Sequence, residues 1–281
     1  MRIAGVMGWP ARQSLSPRLH GFWLREYAID GAFVALPTRP EDFSTALRGL
    51  RLAGFRGVNV TVPHKEAAFA LAGTLDPVAT AAGAANLLVF GDDGRVQGFN
   101  TDAGGLAASV AQELGPDAVR GNAVVLLGAG GAARAAVLAL DGLHAAEIRI
   151  LNRDVARAGS LAAALAPRVK AKLSAMALAG WPEAAGDVAL AVNATSAGMK
   201  GTPSLDLPLD VLPRDSAVCD IVYNPLETDL LRRARARGLR TIDGLGMLMH
   251  QAVPSFASFF GVTPKVTPGL RRELEKALAD G

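Results

Sequence analysis

Short apolar runs alternate with amphipathic segments along the first part of the chain. Runs of β-branched and other apolar residues predict strands, whereas apolar positions three and four residues apart predict helices. Strands are expected at Ile3–Met7, Ala32–Leu36 and Val58–Val62, and helices at Ser16–Tyr27 and Pro40–Leu52. Strands that alternate with helices indicate an α/β fold with parallel sheets and right-handed crossovers.

The alternation ends in a hairpin and then starts again. Gly-Asp-Asp-Gly separates the apolar runs Asn86–Phe90 and Arg95–Phe99, which is a hairpin signal. Further strands are then predicted at Ala123–Leu127, Glu147–Leu151, Val188–Val192 and Ala217–Val222. Helices are predicted at Ala103–Leu114, Gly246–Phe260 and Gly269–Ala279.

The chain has 281 residues, a length for which two domains are the usual expectation. The boundary is expected near residue 103, where Asn100-Thr101-Asp102 precedes a predicted helix. The two C-terminal helices have no strand of their own to cover, so they can return to the first domain. We therefore expect one domain of residues 1–103 and 245–281, and a second of residues 104–244.

Composition excludes several classes of protein. Half of the residues are hydrophobic and 20% are charged, which is typical of a soluble globular protein and argues against disorder. No apolar run reaches the length of a membrane span, and the first thirteen residues make a poor signal peptide. Cys219 is the only cysteine, which fits a reducing cytoplasm, and the four histidines show no metal-ligand spacing. We expect a cytoplasmic protein with neither a membrane segment nor a metal site.

The charge balance is mildly basic, with a net charge of +3 and a pI of about 9.3. Such a balance suits an anionic small molecule as well as nucleic acid. Aromatic residues make up 5% of the chain and show no stacking pattern, so nucleic-acid binding is not expected. The basic run at residues 232–237 is interpreted as the solvated face of a helix.

A glycine-rich loop follows the predicted strand Ala123–Leu127. Gly128-Ala-Gly-Gly-Ala-Ala133 matches G-x-G-x-x-[G/A] between a strand and a helix, the context that indicates dinucleotide binding. Gly128 permits the turn, Gly130 allows a pyrophosphate to approach the backbone, and Ala133 lets the helix pack on the strand. The free N–H groups at the helix N-terminus can hold the phosphates.

The next strand ends in Asn152-Arg153, where an NAD site usually carries an acid. An arginine there suits a ribose 2′-phosphate, and Arg157 can share the same helix face. Asp154 opposes this interpretation unless its carboxylate caps the helix predicted over residues 155–165. The sequence therefore favours NADP.

Two serines open the first helix. In extended chain, Ser14 and Ser16 point the same way, so both hydroxyls can meet one anion at the helix N-terminus. The alternative is that one serine only caps the helix before Pro17.

The next motif combines polar residues with a lysine at an unfavourable place for a cation, and it reads Asn59-Val-Thr61-Val-Pro63-His-Lys65. Asn59 and Thr61 share one strand face, and Pro63 is expected to start a helix whose first turn carries Lys65. A helix N-terminus disfavours a cation, so it favours the neutral amine of a lysine acting as general acid/base. A solvent-facing lysine is the alternative.

Further polar residues can join this pocket. Asp102 either caps its helix or orients Lys65, and Asn86 begins a neighbouring strand. Tyr223 follows a predicted strand at the carboxyl edge, where α/β sheets bind ligands. Gly244 precedes a helix that carries Gln251.

These motifs, in this order, resemble the shikimate dehydrogenase family. The resemblance covers nearly the whole chain, and N-x-T-x-P-x-K combined with N-T-D is specific to this family and its quinate/shikimate relatives. The motifs are Ser14-x-Ser-Pro17, Asn59-x-Thr-x-Pro-x-Lys65, Asn100-Thr-Asp102, Gly128-Ala-Gly-Gly-Ala132, Asn152-Arg153, Asn193-Ala-Thr-Ser-x-Gly198, Tyr223-Asn-Pro225 and Gly244-x-Gly-Met-Leu-x-x-Gln251.

The resemblance implies a fold and a set of roles. An α/β substrate-binding lobe would be completed by the C-terminal helices, and a Rossmann-type doubly wound lobe would bind NADP. Lys65 and Asp102 would be the catalytic pair. The implied substrate residues are Ser14, Ser16 and Tyr223 at a carboxylate and Asn59, Thr61, Asn86 and Gln251 at ring hydroxyls. The implied cofactor residues are Gly128, Ala129, Gly130, Gly131, Ala132, Asn152, Arg153, Arg157, Thr195, Ile221 and Gly244.

The implied activity is the reversible reduction of 3-dehydroshikimate to shikimate by NADPH, in the pathway to chorismate and the aromatic amino acids. The implied partner is this small-molecule substrate, and the protein is expected to be a monomer or a homodimer. One alternative is an NAD-dependent quinate/shikimate dehydrogenase, which Asp154 favours because the family frequently has threonine there. Another is a non-catalytic NADP-binding paralogue, which would be expected to have lost Lys65 or Asp102.

Overall fold

The computed structural model describes residues 1–11 and 14–280. The chain divides into two compact units, of which unit 1 comprises Met1–Thr101 with Gln251–Gly281 and unit 2 comprises Asp102–His250. The sequence predicts the two domain boundaries after residues 103 and 244. The second boundary differs because it falls within one continuous helix, Gly244–Phe260, which no turn signal interrupts.

Unit 1 is built around a six-stranded sheet flanked by helices. Its strands are β1 (Arg2–Gly8), β2 (Gly31–Pro37), β3 (Gly57–Val60), β4 (Thr74–Leu75), β5 (Leu87–Phe90) and β6 (Val96–Phe99). Its helices from the first half of the chain are α1 (Ser16–Glu26), α2 (Phe43–Leu52), α3 (Lys65–Leu71) and α4 (Pro77–Ala82), with a 3₁₀ turn at Pro40–Asp42.

The first sheet has the strand order β2-β1-β3-β5-β6-β4. β1 pairs in parallel with β2 and β3, as the alternation of strands and helices predicts. β5 is antiparallel to both β3 and β6, because β5 and β6 form the hairpin predicted from Gly-Asp-Asp-Gly. The sheet is therefore mixed, and β3 lies near its centre with every residue buried.

Unit 2 repeats the strand–helix alternation with a second sheet. Its strands are β7 (Ala123–Leu127), β8 (Glu147–Asn152), β9 (Lys172–Ala177), β10 (Leu190–Asn193), β11 (Ala217–Asp220) and β12 (Arg240–Ile242). Its helices are α5 (Asp102–Leu114), α6 (Gly131–Gly142), α7 (Val155–Leu165), α8 (Trp181–Ala184), α9 (Asp229–Ala236) and the first part of α10 (Gly244–Phe260). The last helix, α11 (Pro268–Ala279), lies in unit 1.

The second sheet has the order β12-β11-β10-β7-β8-β9, and all of its neighbouring strands are parallel. This is the strand order of a doubly wound dinucleotide-binding fold, in which ligands bind where the order reverses, here between β7 and β10. The buried faces of β7, β10 and β11 explain their nearly unbroken apolar sequences. The α/β class and the Rossmann-type fold predicted from the sequence are confirmed.

The structure corrects several predicted element bounds. The strand predicted over Val58–Val62 ends at Val60, and Val62 is 69% exposed beside Pro63. Pro63 does not begin the next helix, because His64 N–H closes a turn on the Thr61 carbonyl and α3 starts at Lys65. The strands β4, β9 and β12 were not predicted, since they are short or carry alanine and charged residues.

No helix in the part of the chain that the structure describes is long and apolar enough to cross a membrane.

Candidate functional site

Ser14 and Ser16 lie at the start of α1, in unit 1. The backbone at Leu15 is helical, not extended, so the two side chains do not share a direction through strand-like alternation. Instead, Ser14 Oγ accepts a hydrogen bond of 3.2 Å from the backbone N–H of Ser16. Ser14 thus contacts the backbone at the helix start, although the N-cap residue of α1 is Leu15. A hydroxyl that accepts one N–H still has its own proton to donate, so this contact leaves Ser14 able to bind an anion.

The backbone around Lys65 is anchored from two directions. The preceding residue, His64, is buried, stacks on Phe43 at a ring-centroid distance of 4.6 Å and places Nε2 2.8 Å from the Thr38 carbonyl. The Lys65 carbonyl accepts a 2.9 Å hydrogen bond from Ala85 N–H. Lys65 is thus the half-buried first residue of α3, held next to the segment that carries Asn86.

Asn86, Thr101 and Gln251 form a cluster of polar side chains in unit 1. Thr101 N–H donates to Asn86 Oδ1 at 2.8 Å, which fixes the orientation of the amide because a backbone N–H is always a donor. Asn86 Nδ2 then faces Thr101 Oγ1 at 2.9 Å and Gln251 Oε1 at 3.3 Å. The structure therefore brings together two predicted substrate residues, Asn86 and Gln251, and adds Thr101 between them.

Asn59 extends this cluster. It is a buried residue of β3, and its Nδ2 donates to the Asn86 carbonyl at 3.2 Å and to Ser255 Oγ at 2.7 Å. Ser255 lies on α10 and is fully buried. No sequence signal pointed to Ser255, because a serine inside a helical pattern is ordinary and its partner is 196 residues away. Thr61, one residue beyond β3, is half-buried, and its N–H donates to the Met7 carbonyl at 2.9 Å.

The Asn100-Thr101-Asp102 segment joins β6 to α5. Asn100 Nδ2 donates to the Ala84 carbonyl at 3.0 Å, so Asn100 fixes the chain that leads to Asn86. Asp102 is buried and is the first residue of α5, where the helix dipole stabilises a carboxylate. In this motif, Asn100 and Thr101 hold the backbone in place and Asp102 supplies the charge.

In unit 2, the glycine loop crosses the point where the strand order reverses. Gly128 has a φ of +110°, and a Cβ there would lie 2.9 Å from Thr195 Cγ2 and 3.1 Å from the Ala194 carbonyl oxygen. A Cβ at Gly130 or Gly131 would meet no atom within 4 Å. Gly128 is therefore required by the fold, whereas Gly130 and Gly131 border open space.

This open space leaves room for a ligand to approach the backbone. Gly130 is the N-cap of α6 and has no side chain with which to cap the helix. The N–H groups of its first turn, around Gly131 and Ala132, are the kind of donors that hold phosphates. Ala129 is half-buried in the same loop, and Ala133 is fully buried against the sheet as predicted.

The loop after β8 carries the residues predicted to recognise the ribose. Asp154 Oδ1 accepts from Ala156 N–H at 3.0 Å and from Arg157 N–H at 3.4 Å, so the predicted helix cap is confirmed. Asn152 Nδ2 donates to the Asp154 carbonyl at 2.9 Å and closes the loop. Arg153 and Arg157 are exposed, so both guanidinium groups are accessible to a phosphate.

Thr195 lies in the loop after β10, opposite the glycine loop. Its N–H and Oγ1 donate to Asn193 Oδ1 at 3.1 and 2.7 Å, and Oγ1 accepts from Ala197 N–H at 3.0 Å. Asn193 in turn donates to the buried carboxylate of Asp220 at 2.9 Å. These bonds shape a compact loop at the switch point.

The segment after β11 carries Ile221 and Tyr223, and Gly244 lies close to the backbone of Ile221. A Cβ on Gly244 would lie 2.2 Å from the Ile221 carbonyl oxygen, so only glycine allows α10 to start this close to the Ile221 backbone. Burial raises the pKa of Tyr223 above its ordinary value. The phenol therefore remains protonated and is able to donate to an anion.

Comparison with known proteins identifies the family. The family model for the shikimate dehydrogenase substrate binding domain matches residues 6–88, and the model for shikimate / quinate 5-dehydrogenase matches residues 109–199. A protein of Methylobacterium radiotolerans named shikimate dehydrogenase (NADP(+)) is 52% identical, over 98% of this chain and 97% of its own. The chain belongs to the shikimate dehydrogenase family.

Solved structures of shikimate dehydrogenase family members extend the likeness to the fold. Shikimate 5-dehydrogenase of Thermus thermophilus, in complex with NADP(H) and shikimate, has a TM-score of 0.85 and 35% identity, covering 100% of this chain and 99% of its own. Quinate dehydrogenase of Corynebacterium glutamicum, in complex with NAD, has a TM-score of 0.89 and 30% identity, covering 99% of each chain.

The two shikimate dehydrogenase family models divide the candidate residues between them. The substrate-binding match contains Ser14, Ser16, Asn59, Thr61, Lys65 and Asn86, and the second match contains the glycine loop, Asn152, Arg153, Arg157 and Thr195. The other candidates, Asp102, Ile221, Tyr223, Gly244 and Gln251, lie outside both matched ranges.

Proposed function

We propose that the chain catalyses the NADP-dependent reversible reduction of 3-dehydroshikimate to shikimate, a step toward chorismate and the aromatic amino acids. The observation that carries the proposal is the full-length match, at 52% identity, to a protein named shikimate dehydrogenase (NADP(+)). The anchored Lys65, the Asn59–Asn86–Gln251 cluster and the open glycine loop support it.

Unit 1 is the proposed substrate-binding domain. The buried amides of Asn59 and Asn86 are held by hydrogen bonds within the unit, so they are ordered before a substrate arrives. Such preorganisation favours a ligand with several ring hydroxyls, since few side chains need to be immobilised on binding. Thr61 and Gln251 complete the proposed hydroxyl-binding set, and Ser14 and Ser16 are the proposed ligands of the substrate carboxylate. Tyr223 is proposed as a further carboxylate ligand.

Unit 2 is the proposed NADP-binding domain. NADPH supplies the hydride when it is bound, and the protein supplies orientation and proton transfer. The first turn of α6 would hold the pyrophosphate, and Arg153 with Arg157 would bind the 2′-phosphate. Ile221 and Gly244 would line the nicotinamide side by backbone contacts, and Thr195 would contribute to the same cofactor site. Asn152 orders the loop from which Arg153 projects.

Lys65 and Asp102 are the proposed catalytic pair. In the reductive direction, the Lys65 ammonium gives a proton to the carbonyl oxygen of the substrate as hydride reaches the carbon. In the oxidative direction, the neutral amine takes the hydroxyl proton back. Asp102 is the proposed acceptor of a hydrogen bond from the reacting hydroxyl.

The experiment that tests the proposal is a kinetic assay of the purified protein with shikimate and NADP⁺, following the absorbance of NADPH. We expect Lys65→Ala to lower kcat by about 10²–10⁴-fold, the usual contribution of a general acid/base. The dissociation constant of shikimate should change much less, because other groups carry the binding. A Lys65→Ala protein with a near-normal kcat would remove Lys65 from the mechanism.

An NAD-dependent quinate dehydrogenase is the second candidate function. It is favoured by the likeness to the quinate dehydrogenase of Corynebacterium glutamicum. Arg153 argues against it, because no 2′-phosphate is present in NAD. The non-catalytic alternative is disfavoured because both Lys65 and Asp102 are present.

Location and assembly belong to the same proposal. A cytoplasmic location is supported by the single cysteine, Cys219, which is buried in β11. A monomer or a homodimer is expected, and light scattering after size-exclusion chromatography distinguishes the two.

A further inference from the structure

Asp220 is a fully buried carboxylate at the end of β11 to which the proposed mechanism gives no role. Three donors surround it. Asn193 Nδ2 and Val222 N–H donate to Oδ1 at 2.9 and 3.1 Å, and the Thr228 hydroxyl donates to Oδ2 at 2.7 Å. Burial raises the pKa of Asp220 to about 6, although these hydrogen bonds oppose the rise. A buried charge satisfied in this way usually serves the groups that donate to it.

The contact with Asp220 is one of the hydrogen bonds that hold the side-chain amide of Asn193. Because Asn193 Nδ2 faces the Asp220 carboxylate and the Ala197 carbonyl, its Oδ1 must face the other way. Oδ1 there accepts both the N–H and the hydroxyl of Thr195. The loop at residues 194–197 is therefore closed by an amide that the Asp220 carboxylate helps to hold in place.

This loop borders the glycine loop. Thr195 Cγ2 would lie 2.9 Å from a Cβ on Gly128, so Thr195 and the turn after β7 are in close contact. Ala194 N–H also donates to the Leu127 carbonyl at 2.9 Å. A change in the 194–197 loop therefore displaces groups where the pyrophosphate is proposed to bind.

We propose that Asp220 is a positioning residue for NADP: its carboxylate anchors Asn193, which holds the Thr195 loop against the glycine loop. The inference rests on the proposed function, because it assumes that the dinucleotide binds at the glycine loop. Asp220 is fully buried, so its proposed effect on the cofactor passes through the protein groups that donate to it, chiefly Asn193 and through it Thr195.

The test measures the dissociation constant of NADPH by fluorescence titration. Asp220→Asn keeps the size of the side chain and removes the charge, and the Thr228 hydroxyl can turn to accept from the new amide. Because hydrogen bonds to an ionised acceptor are about twice as strong as neutral ones, we expect the dissociation constant to rise by about tenfold. The dissociation constant of shikimate should stay within about twofold of its value for the unmodified protein, because Asp220 is proposed to act on the 194–197 loop.

Asp141 offers a matched control. It accepts two backbone N–H groups, from Lys170 at 2.7 Å and Ala171 at 2.9 Å, immediately before the amino end of β9. Asp141→Asn therefore makes the same chemical change in the same unit, away from the carboxyl edge of the sheet. NADPH binding should be unchanged in this variant. Equal weakening in both variants would overturn the proposal, because it would indicate a general loss of structure.

A double variant tests the route of the effect. If Asp220 acts through Asn193 and Thr195, the losses of NADPH affinity from Asp220→Asn and Thr195→Ala should overlap. The double variant should then bind NADPH more tightly than the product of the two single losses predicts. Strictly multiplicative losses contradict the proposal. So does an Asp220→Asn protein that binds NADPH within about twofold of the unmodified protein, the range expected without coupling.

If Asp220→Asn fails to fold, two variants of Thr228 test the same proposal. Thr228→Val removes one donor to the carboxylate, and Thr228→Ser retains it. We expect Thr228→Val to weaken NADPH binding by several-fold and Thr228→Ser to leave it unchanged. Identical NADPH affinities in the two variants contradict the proposal. Failure of the proposed function is distinct, since the unmodified protein would then not reduce NADP⁺ with shikimate, whatever its affinity for NADPH.

Discussion

The side-chain amide of Asn59 donates a hydrogen bond of 2.7 Å to the hydroxyl of Ser255, although the two residues lie 196 positions apart in the chain. The same amide nitrogen donates to the Asn86 carbonyl, which only accepts. Both amide protons are therefore directed into unit 1, and the carbonyl oxygen of Asn59 faces the other way. The Asn86 carbonyl thus sets the direction of the Asn59 amide, and Ser255 of α10 adds a second hydrogen bond that holds it there.

Ser255→Ala should weaken substrate binding without affecting the cofactor. The variant removes one of the two bonds that orient Asn59, and a neutral hydrogen bond of this kind contributes about 1 kcal/mol, or roughly fivefold in KM for shikimate. Steady-state kinetics should show the rise in KM with little change in kcat or in the KM for NADP⁺.

Ser258→Ala is the control, since Ser258 lies on the same helix and its hydroxyl bonds only to the Pro254 carbonyl, at 2.9 Å, among the described residues. The effect of Ser255→Ala should also vanish in an Asn59→Ala background. An undiminished effect in that background would show that Ser255 supports the fold and not Asn59.

The glycine loop should separate stability from binding. Gly128→Ala places a Cβ 2.9 Å from Thr195 Cγ2 at a φ of +110°, so it should lower the free energy of unfolding by about 1–3 kcal/mol. Gly130→Ala introduces a Cβ into open space, so stability should be retained while NADPH binding weakens. Urea unfolding and fluorescence titration of both variants test the contrast. Tight NADPH binding by Gly130→Ala would place the pyrophosphate elsewhere.

Cofactor choice should depend on Arg153 and not on Asp154. Arg153→Ala should weaken NADP binding by about 1.5–3 kcal/mol, the range for hydrogen bonds to a charged group, and leave NAD binding unchanged. Asp154 uses its carboxylate to cap α7, so Asp154→Thr, which preserves a cap, should leave the NADP preference unaltered. Titrations with both dinucleotides measure the ratio. An increased NADP preference in Asp154→Thr would mean that the carboxylate faces the phosphate.

His20 makes the protein sensitive to acid. It is fully buried, stacks on Phe33 at a centroid distance of 3.9 Å, and neither ring nitrogen has a hydrogen-bond partner among the described residues. Burial lowers the pKa of His20 to about 3. The unfolded chain therefore binds a proton near pH 6.5 that the folded chain does not bind, so His20 costs stability increasingly as the pH falls from about 6.5 toward 3.

The expected slope is about 1.4 kcal/mol of unfolding free energy for each pH unit in that window. Urea unfolding of the unmodified protein and of His20→Leu, at several pH values, measures it as a difference. The exposed His144 supplies the control, as His144→Asn, because asparagine tolerates its positive φ. Parallel pH profiles for the unmodified protein and His20→Leu would contradict the burial argument.

The sequence predicted the elements that local pattern determines. Ala123–Leu127 was predicted with its observed bounds, because an unbroken apolar run that ends in Gly128 marks a buried parallel strand before a tight turn. β9 was missed because Lys172–Ala177 is an edge strand with mixed polarity. The motif residues could be named in advance, since the chemistry of the ligand restricts their types.

Partners distant in sequence could not be named in advance. Ser255 and Asp220 contact Asn59 and Asn193 only because the fold brings different strands and helices together. The extended backbone expected between Ser14 and Ser16 was wrong for a related reason. The expectation assumed an extended chain, and Leu15 instead adopts a helical conformation at the start of α1.

The most direct test of the central claim is the ratio of kcat/KM values of the unmodified protein for shikimate with NADP⁺ and for quinate with NAD⁺. The proposed 2′-phosphate contact at Arg153 predicts a preference for shikimate with NADP⁺ of about tenfold or more. A preference for quinate with NAD⁺ would contradict the account and assign the protein to the quinate branch of its family.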